Sequence, residues 1–252
     1  MKGLPASLAG LRKPRSAEVL AAAQREAAAL ELGAPLAIRV NPRARRLLLR
    51  IDAAARTIEL VLPRGVSASR GLEFAAAQRG WNAARLAALP APVPFAEGAV
   101  VPVFGALHRI CAECNPLAPP VGIADGEIRV RGLPEHLGRR VRDHLIALAR
   151  RELSRRARLF AARIDRNVTR VAVRDTKSRW GSCSSSGALS FSWRLILAPD
   201  SVIDYVVAHE VAHLAEMNHG PRFWRLVRTL VPDTAAPRAW LKRHRARLLS
   251  YG

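Results

Sequence analysis

The run His209-Glu210-Val211-Ala212-His213 sets two imidazoles four residues apart with a carboxylate between them. On a helix turning about 100° per residue, the two histidines lie roughly 40° apart and one turn along the same face, so both rings reach one cation. Glu210 leans over the same ion. Three neutral imidazoles suit zinc among the divalent ions. A zinc ion with three protein ligands keeps a position for water and lowers its pKa toward neutrality, and a neighbouring carboxylate then accepts the proton during attack. That chemistry is hydrolytic. The third ligand indicated by spacing is His219, six residues beyond His213, which a continuous helix would turn to roughly the opposite side. The helix must therefore end first. Asn218 and Gly220, both tolerant of left-handed backbone, flank His219 as closing residues, and Pro221 suits the start of another helix through Leu230. An isolated motif of this kind also occurs by chance in helices that bind nothing, so the elements around it carry the weight.

Those elements are legible. Ser201 with Asp204 three residues on reads as a capping box, and Val202, Ile203, Val206, Val207 and Val211 give the helix a buried face. Before it, residues 168–174 and 188–193 read as two strands of a hairpin, joined through Arg179-Trp180-Gly181-Ser182-Cys183 and a turn at 184–187. Residues 134–163 form a long amphipathic helix on Val141, Leu145, Leu148, Leu153 and Phe160, with its arginines on the wet face. The half before Pro134 is mostly β. Strands are expected over 36–40, 45–52 and 57–62 as an antiparallel meander, and again around 100–110 and 127–130, the last introduced by an Asp125-Gly126 turn. Ser67 caps a helix running toward Leu89, with Leu72, Phe74 and Trp81 on its buried side, and a peripheral helix over 17–32 ends before Gly33. The reading is of an α+β protein in three parts: an extension over 1–35, a β-rich region over 36–133 and a catalytic part over 134–252.

Composition narrows the setting. Half of the 252 residues are apolar, enough for a real core, yet no apolar run is long enough to cross a bilayer. The basic start lacks the continuous apolar region of a secretion signal. Three cysteines, Cys111, Cys114 and Cys183, make no disulfide framework, and Cys111-Ala112-Glu113-Cys114 has no partner pair to complete a second zinc site, so a reducing cytoplasm is expected. His108, His136, His144 and His244 lack ligand spacing and read as surface or structural. The net charge is +21, and of 41 basic residues only four are lysines. Clustered arginines such as Arg43, Arg45 and Arg46 could hold phosphates of a nucleic acid or a nucleotide. Arginine replacing lysine throughout, beside abundant alanine, is also what GC-rich coding produces regardless of function.

With these pieces in view, the chain resembles the YgjP-like, or WGSC-motif, metallopeptidase-domain proteins of bacteria, relatives of the zincin metallopeptidases. The resemblance rests on the basic strand 43–49, Leu62-Pro63-Arg64-Gly65-Val66, Trp81, Lys177-Ser178-Arg179-Trp180-Gly181-Ser182-Cys183, Ile203-Asp204-Tyr205-Val206-Val207, His209-Glu210 with His213, and Asn218-His219 before Phe223-Trp224. It implies a zincin-like core, one Zn2+ held by His209, His213 and His219, Glu210 as the catalytic residue, and a peptide or protein substrate. An edge strand would line the cleft beside the metal helix, with Arg179, Trp180, Gly181 and Ser182 as its lining. Each has a plainer reading: Trp180 as a core residue, Gly181 as a backbone requirement, Cys183 as a small buried hydrophobe and Arg179 as a solvated charge. Two other functions stay open: hydrolysis of a phosphoanhydride such as a nucleotide on the same centre, and a nucleic-acid-associated module of the SprT-like kind.

Overall fold

The computed structural model describes residues 23–27, 30–53 and 55–252, and most of the segment expected to be helical over 17–32 lies outside them. The chain divides into two compact units, Met1–Leu89 and Pro90–Gly252. The expected boundary near Pro134 falls inside the second.

In the first unit β1 (Leu36–Asn41), β2 (Leu48–Asp52) and β3 (Thr57–Pro63) form a sheet in the order β1-β3-β2. The meander expected from the sequence is therefore corrected: β3 pairs antiparallel with β2 but parallel with β1. Its alternating Ile58, Leu60 and Leu62 are at most 2% exposed, and the most apolar strand takes the centre, where both neighbours cover it. Residues 23–27 are helical, and far from being peripheral, Ala23 and Ala27 are buried in this core. Gln24 accepts from the amide of Ile38 at 3.2 Å, tying that helix to β1.

Ser67 caps the next helix as expected, its hydroxyl accepting from the Arg70 amide at 3.3 Å. The single helix expected to Leu89 is instead two, α1 (Ala68–Ala77) and α2 (Arg79–Ala87), broken at Gln78. The break resets the helical phase: Asn82 and Leu86, one turn apart, face the core, and Trp81, expected to be buried, is 46% exposed. Gly71 sits on α1 where a Cβ would run into the Leu62 side chain, so the glycine lets the helix press onto β3.

The second unit opens with β4 (Val100–Val103), β5 (Ala106–Glu113), β6 (Val121–Ala124) and β7 (Glu127–Arg131) in the order β4-β5-β7-β6. The stretch expected as one strand over 100–110 is a hairpin, turned at Phe104 (φ 51°) and Gly105 (φ 82°). Asp125 (φ 53°) and Gly126 (φ 74°) make the turn into β7 as their types require. The long helix α3 (Pro134–Ala162) follows, and its buried side is the expected stripe.

The strand β8 (Arg170–Arg174) runs parallel to β10 (Ala188–Ser192), and the hairpin partner of β10 is β9 (Gly181–Cys183). The expected hairpin of β8 with β10 is thus corrected, and β9 becomes an edge strand of the order β8-β10-β9. A 3-10 turn over Trp193–Leu197 leads to α4 (Asp200–Ala212), then α5 (Pro221–Leu230) and α6 (Ala235–Leu249). One apolar core joins Ile110 and Ile128 of the sheet, Leu145 and Leu153 of α3, Phe191 of β10 and Val207 of α4. The architecture is mixed α+β. Among the described residues no helix is long and apolar enough to cross a membrane.

Candidate metal centre

Nine of the 13 residues of α4 are buried, so the helix is a core element whose few polar side chains have fixed directions. The start of α4 is not the capping box that Ser201 and Asp204 suggest. No side chain caps it, and Asp204 instead accepts from Arg156 at 2.7 Å. Arg156, expected on the wet face of α3, is only 8% exposed and also pairs with Asp200. A buried guanidinium needs carboxylates, and the start of α4 supplies both. This clamp, with Val202, Ile203, Val206, Val207 and Val211 in the core, sets the rotation of α4.

His209 and His213 therefore leave the helix on one side. The last helical residue is Ala212, with His213 as the C-cap, and the chain loops back to bring His219 against them. The turn-back is not built on left-handed backbone at Asn218 or Gly220: neither has positive φ, and Gly220 is the extended N-cap of α5, with Pro221 at its first position. The fold brings the three histidines together. Their ligand nitrogens all lie within 4.8 Å of one another, and Nε2 of His209 is 3.1 Å from Nε2 of His219. Nδ1 of His213 bonds the carbonyl of Glu216 at 3.1 Å, which leaves Nε2 as the free nitrogen, the usual way a ligand imidazole is oriented from behind.

Phe223, fully buried on α5, packs against all three rings at centroid distances of 4.9, 4.5 and 4.7 Å, and Trp224 flanks His209 and His219. Burial, followed by His213 and His219, pulls the pKa of His209 down to about 4, and burial lowers His213 as well. Both imidazoles are therefore neutral near pH 7, the form that donates a lone pair to a metal. Nε2 of His209 and Nε2 of His219 are at contact distance, close enough to share one ion. That donor set fits a divalent cation. Among the described residues no other group of histidines, cysteines or carboxylates has this closeness.

Glu210 is 7% exposed, and burial raises its pKa to about 7 against the opposing charge of Arg179. Its carboxylate lies against the backbone of β9: a Cβ on Gly181 would sit 2.5 Å from Cγ and 2.6 Å from Oε1. The reading of Gly181 as a backbone requirement is thus given a specific cause. Arg179, Trp180 and Gly181 line a cavity of about 330 Å3 beside His209 and Glu210, completed by Tyr205 and Val206 of α4 and by Arg238 and Leu241 of α6. Ser182 lies outside that lining, opposite Ser190 in the β9–β10 pair.

The sequence motif gives Phe223 and Trp224 no role, and the ring packing supplies one. Nothing in the spacing pointed to Arg238 or Leu241, which reach the site only because α6 packs on α4. The remaining histidines stay apart, His244 stacking on Trp240 at 4.2 Å. Cys111, Cys114 and Cys183 are free.

A helix that offers two imidazoles and a buried carboxylate, closed by a third imidazole from the following loop, is a group that could hold a divalent metal ion. The chain belongs to the YgjP-like metallopeptidase-domain family, whose model matches residues 45–244. Comparison with curated proteins and with solved structures gave no match.

Proposed function

We propose that this protein is a zinc metallopeptidase in which His209, His213 and His219 hold the ion and Glu210 is the general base. The observation that carries the reading is the convergence of three imidazole nitrogens within 4.8 Å, with the buried Glu210 beside His209 in the lining of the adjacent cavity. Bound there, zinc would polarise a scissile carbonyl and make water a better nucleophile at neutral pH. Glu210, backed by Gly181, accepts the proton of the attacking water and returns it to the leaving amine. Phe223 shields the imidazoles from one side and holds their ring planes. The outer edge of β9 carries unpaired backbone groups beside α4, and an extended peptide can add to it as a further strand, the zincin-like way of presenting a substrate.

Residues 134–252 supply every group in this scheme, which makes them the catalytic part. The free cysteines fit a cytoplasmic setting.

Elemental analysis of the purified protein beside a His213→Ala variant tests the centre. One zinc per chain, lost in the variant, is the expected result. Absence of metal from both proteins after zinc reconstitution removes the enzymatic reading.

A further inference from the structure

The cavity beside Glu210 is floored by Val206 and Leu241 and walled by Trp180, and two exposed guanidinium groups stand at its rim. Arg179 precedes β9 and Arg238 is in the first turn of α6. Among the described residues neither side chain makes an ion pair or a hydrogen bond. An arginine-rich chain leaves many such groups in solvent, so the comparison that matters is with arginines at other concave sites. In the cavity below α3, Arg156 is answered by Asp200 and Asp204, and Arg155 by Glu152. At the cavity beside the candidate centre the chain supplies no such answer: Glu210 is the single acid in its lining, and it lies deep, against Gly181. Arg46, in the hollow between β2 and α1, is likewise without an acid in the lining, so what distinguishes the cavity beside the candidate centre is that two such guanidinium groups converge on it.

We infer that this cavity is a specificity subsite for a substrate residue bearing a carboxylate, an aspartate or glutamate of a peptide, placed beside the scissile bond. Its methylenes rest on Trp180, Val206 and Leu241, and its carboxylate stops at the rim, between Arg179 and Arg238, short of the buried Glu210. A volume of about 330 Å3 is at the low end for ligand sites, room for one side chain rather than a larger group. A carboxylate there gains charge-assisted hydrogen bonds that an uncharged residue lacks, and a basic residue meets like charge, which makes both poorer occupants. The inference rests on the metallopeptidase reading for its substrate class, although the subsite itself is a binding property that turnover is not needed to detect.

The test uses fluorescent octapeptides with Glu, Gln or Lys fixed at each position in turn and the rest randomised. Binding is read by anisotropy on the zinc-loaded Glu210→Gln protein, and cleavage by mass spectrometry on the wild type. At one position Glu should bind roughly ten- to a hundredfold tighter than Gln, the range for hydrogen bonds to a charged partner. Arg238→Glu should abolish that preference and favour Lys, whereas Arg139→Glu, remote on α3, should leave it intact. Equal binding of Glu and Gln peptides at every position overturns the subsite even if both are cleaved, in which case the peptidase reading stands. A Glu preference lost in Arg238→Glu, with no cleavage by the wild type, keeps the subsite and removes the peptidase. Binding of a free nucleoside triphosphate in preference to every Glu peptide overturns the subsite in favour of a phosphate ligand.

Discussion

Replacing Gly181 with alanine should separate catalysis from metal binding. The new Cβ would stand 2.5 Å from Cγ and 2.8 Å from Cδ of Glu210, where ordinary contact begins at 3.4 Å, so the carboxyl stem must retreat by about 0.9 Å. Glu210 is 7% exposed and surrounded by the core of α4, so it has little room to retreat without turning its oxygens away from the cavity. The backbone of β9 is the other part that can yield, and its antiparallel pairing with β10 resists that. A misplacement of about 1 Å in a reacting group costs on the order of 10²-fold in rate, which converts to about 2.7 kcal/mol of transition-state stabilisation. The three imidazoles are untouched by the change, so zinc stoichiometry should stay at the wild-type value. The assay is a ratio: kcat/KM on the best peptide from the positional library, divided by metal content from elemental analysis. A Gly181→Ala protein that keeps its zinc and cleaves within about twofold of wild type would show that Glu210 is not held by this contact, and the reasoning would be refuted. Loss of zinc in the same protein would show that the contact supports the fold of the centre instead.

Two further changes probe other parts of the same structure. Glu210→Gln keeps the shape of the side chain while removing its basicity, so turnover should fall by about 10²- to 10⁴-fold with zinc retained; turnover near wild type would assign the base elsewhere. Arg156→Ala leaves Asp204, 35% exposed, and Asp200, 61% exposed, without their shared cation. Breaking a fully buried pair costs roughly 3–5 kcal/mol, and because these carboxylates can be rehydrated the loss should be nearer 1–2 kcal/mol, read as a lower urea midpoint at unchanged slope. An unchanged midpoint would mean that the clamp adds nothing to the setting of α4.

The convergence of the three histidines was legible because it is written at short range. His209, Glu210 and His213 occupy fixed angles on any helix, and the apolar residues of 201–211 leave that segment no better place than a core. The same holds for α3, whose buried stripe runs from Leu137 to Ala161, and for the turn at Asp125-Gly126, where the residue types nearly dictate positive φ. Strand order was not legible. Periodicity says which face of β3 is buried but not which neighbour lies at each edge, so β1 beside β3 and β9 beside β10 are decided only when sheets and helices compete for one core. Arg156 shows the limit from the other side: its spacing placed it on a wet face, and two carboxylates 44 and 48 residues away made burial tolerable.

What the amino-acid order determined by itself, then, is the histidine group: three imidazoles at spacings that a helix and a following turn bring together, with Glu210 next to the first of them. What the tertiary structure decided is everything that makes the group selective. Gly181 lies 29 residues before Glu210, and Arg238 lies 28 residues after it. No local rule relates such positions, because their meeting depends on how β9 and α6 pack against α4, and that packing is a property of the whole core rather than of any segment in it.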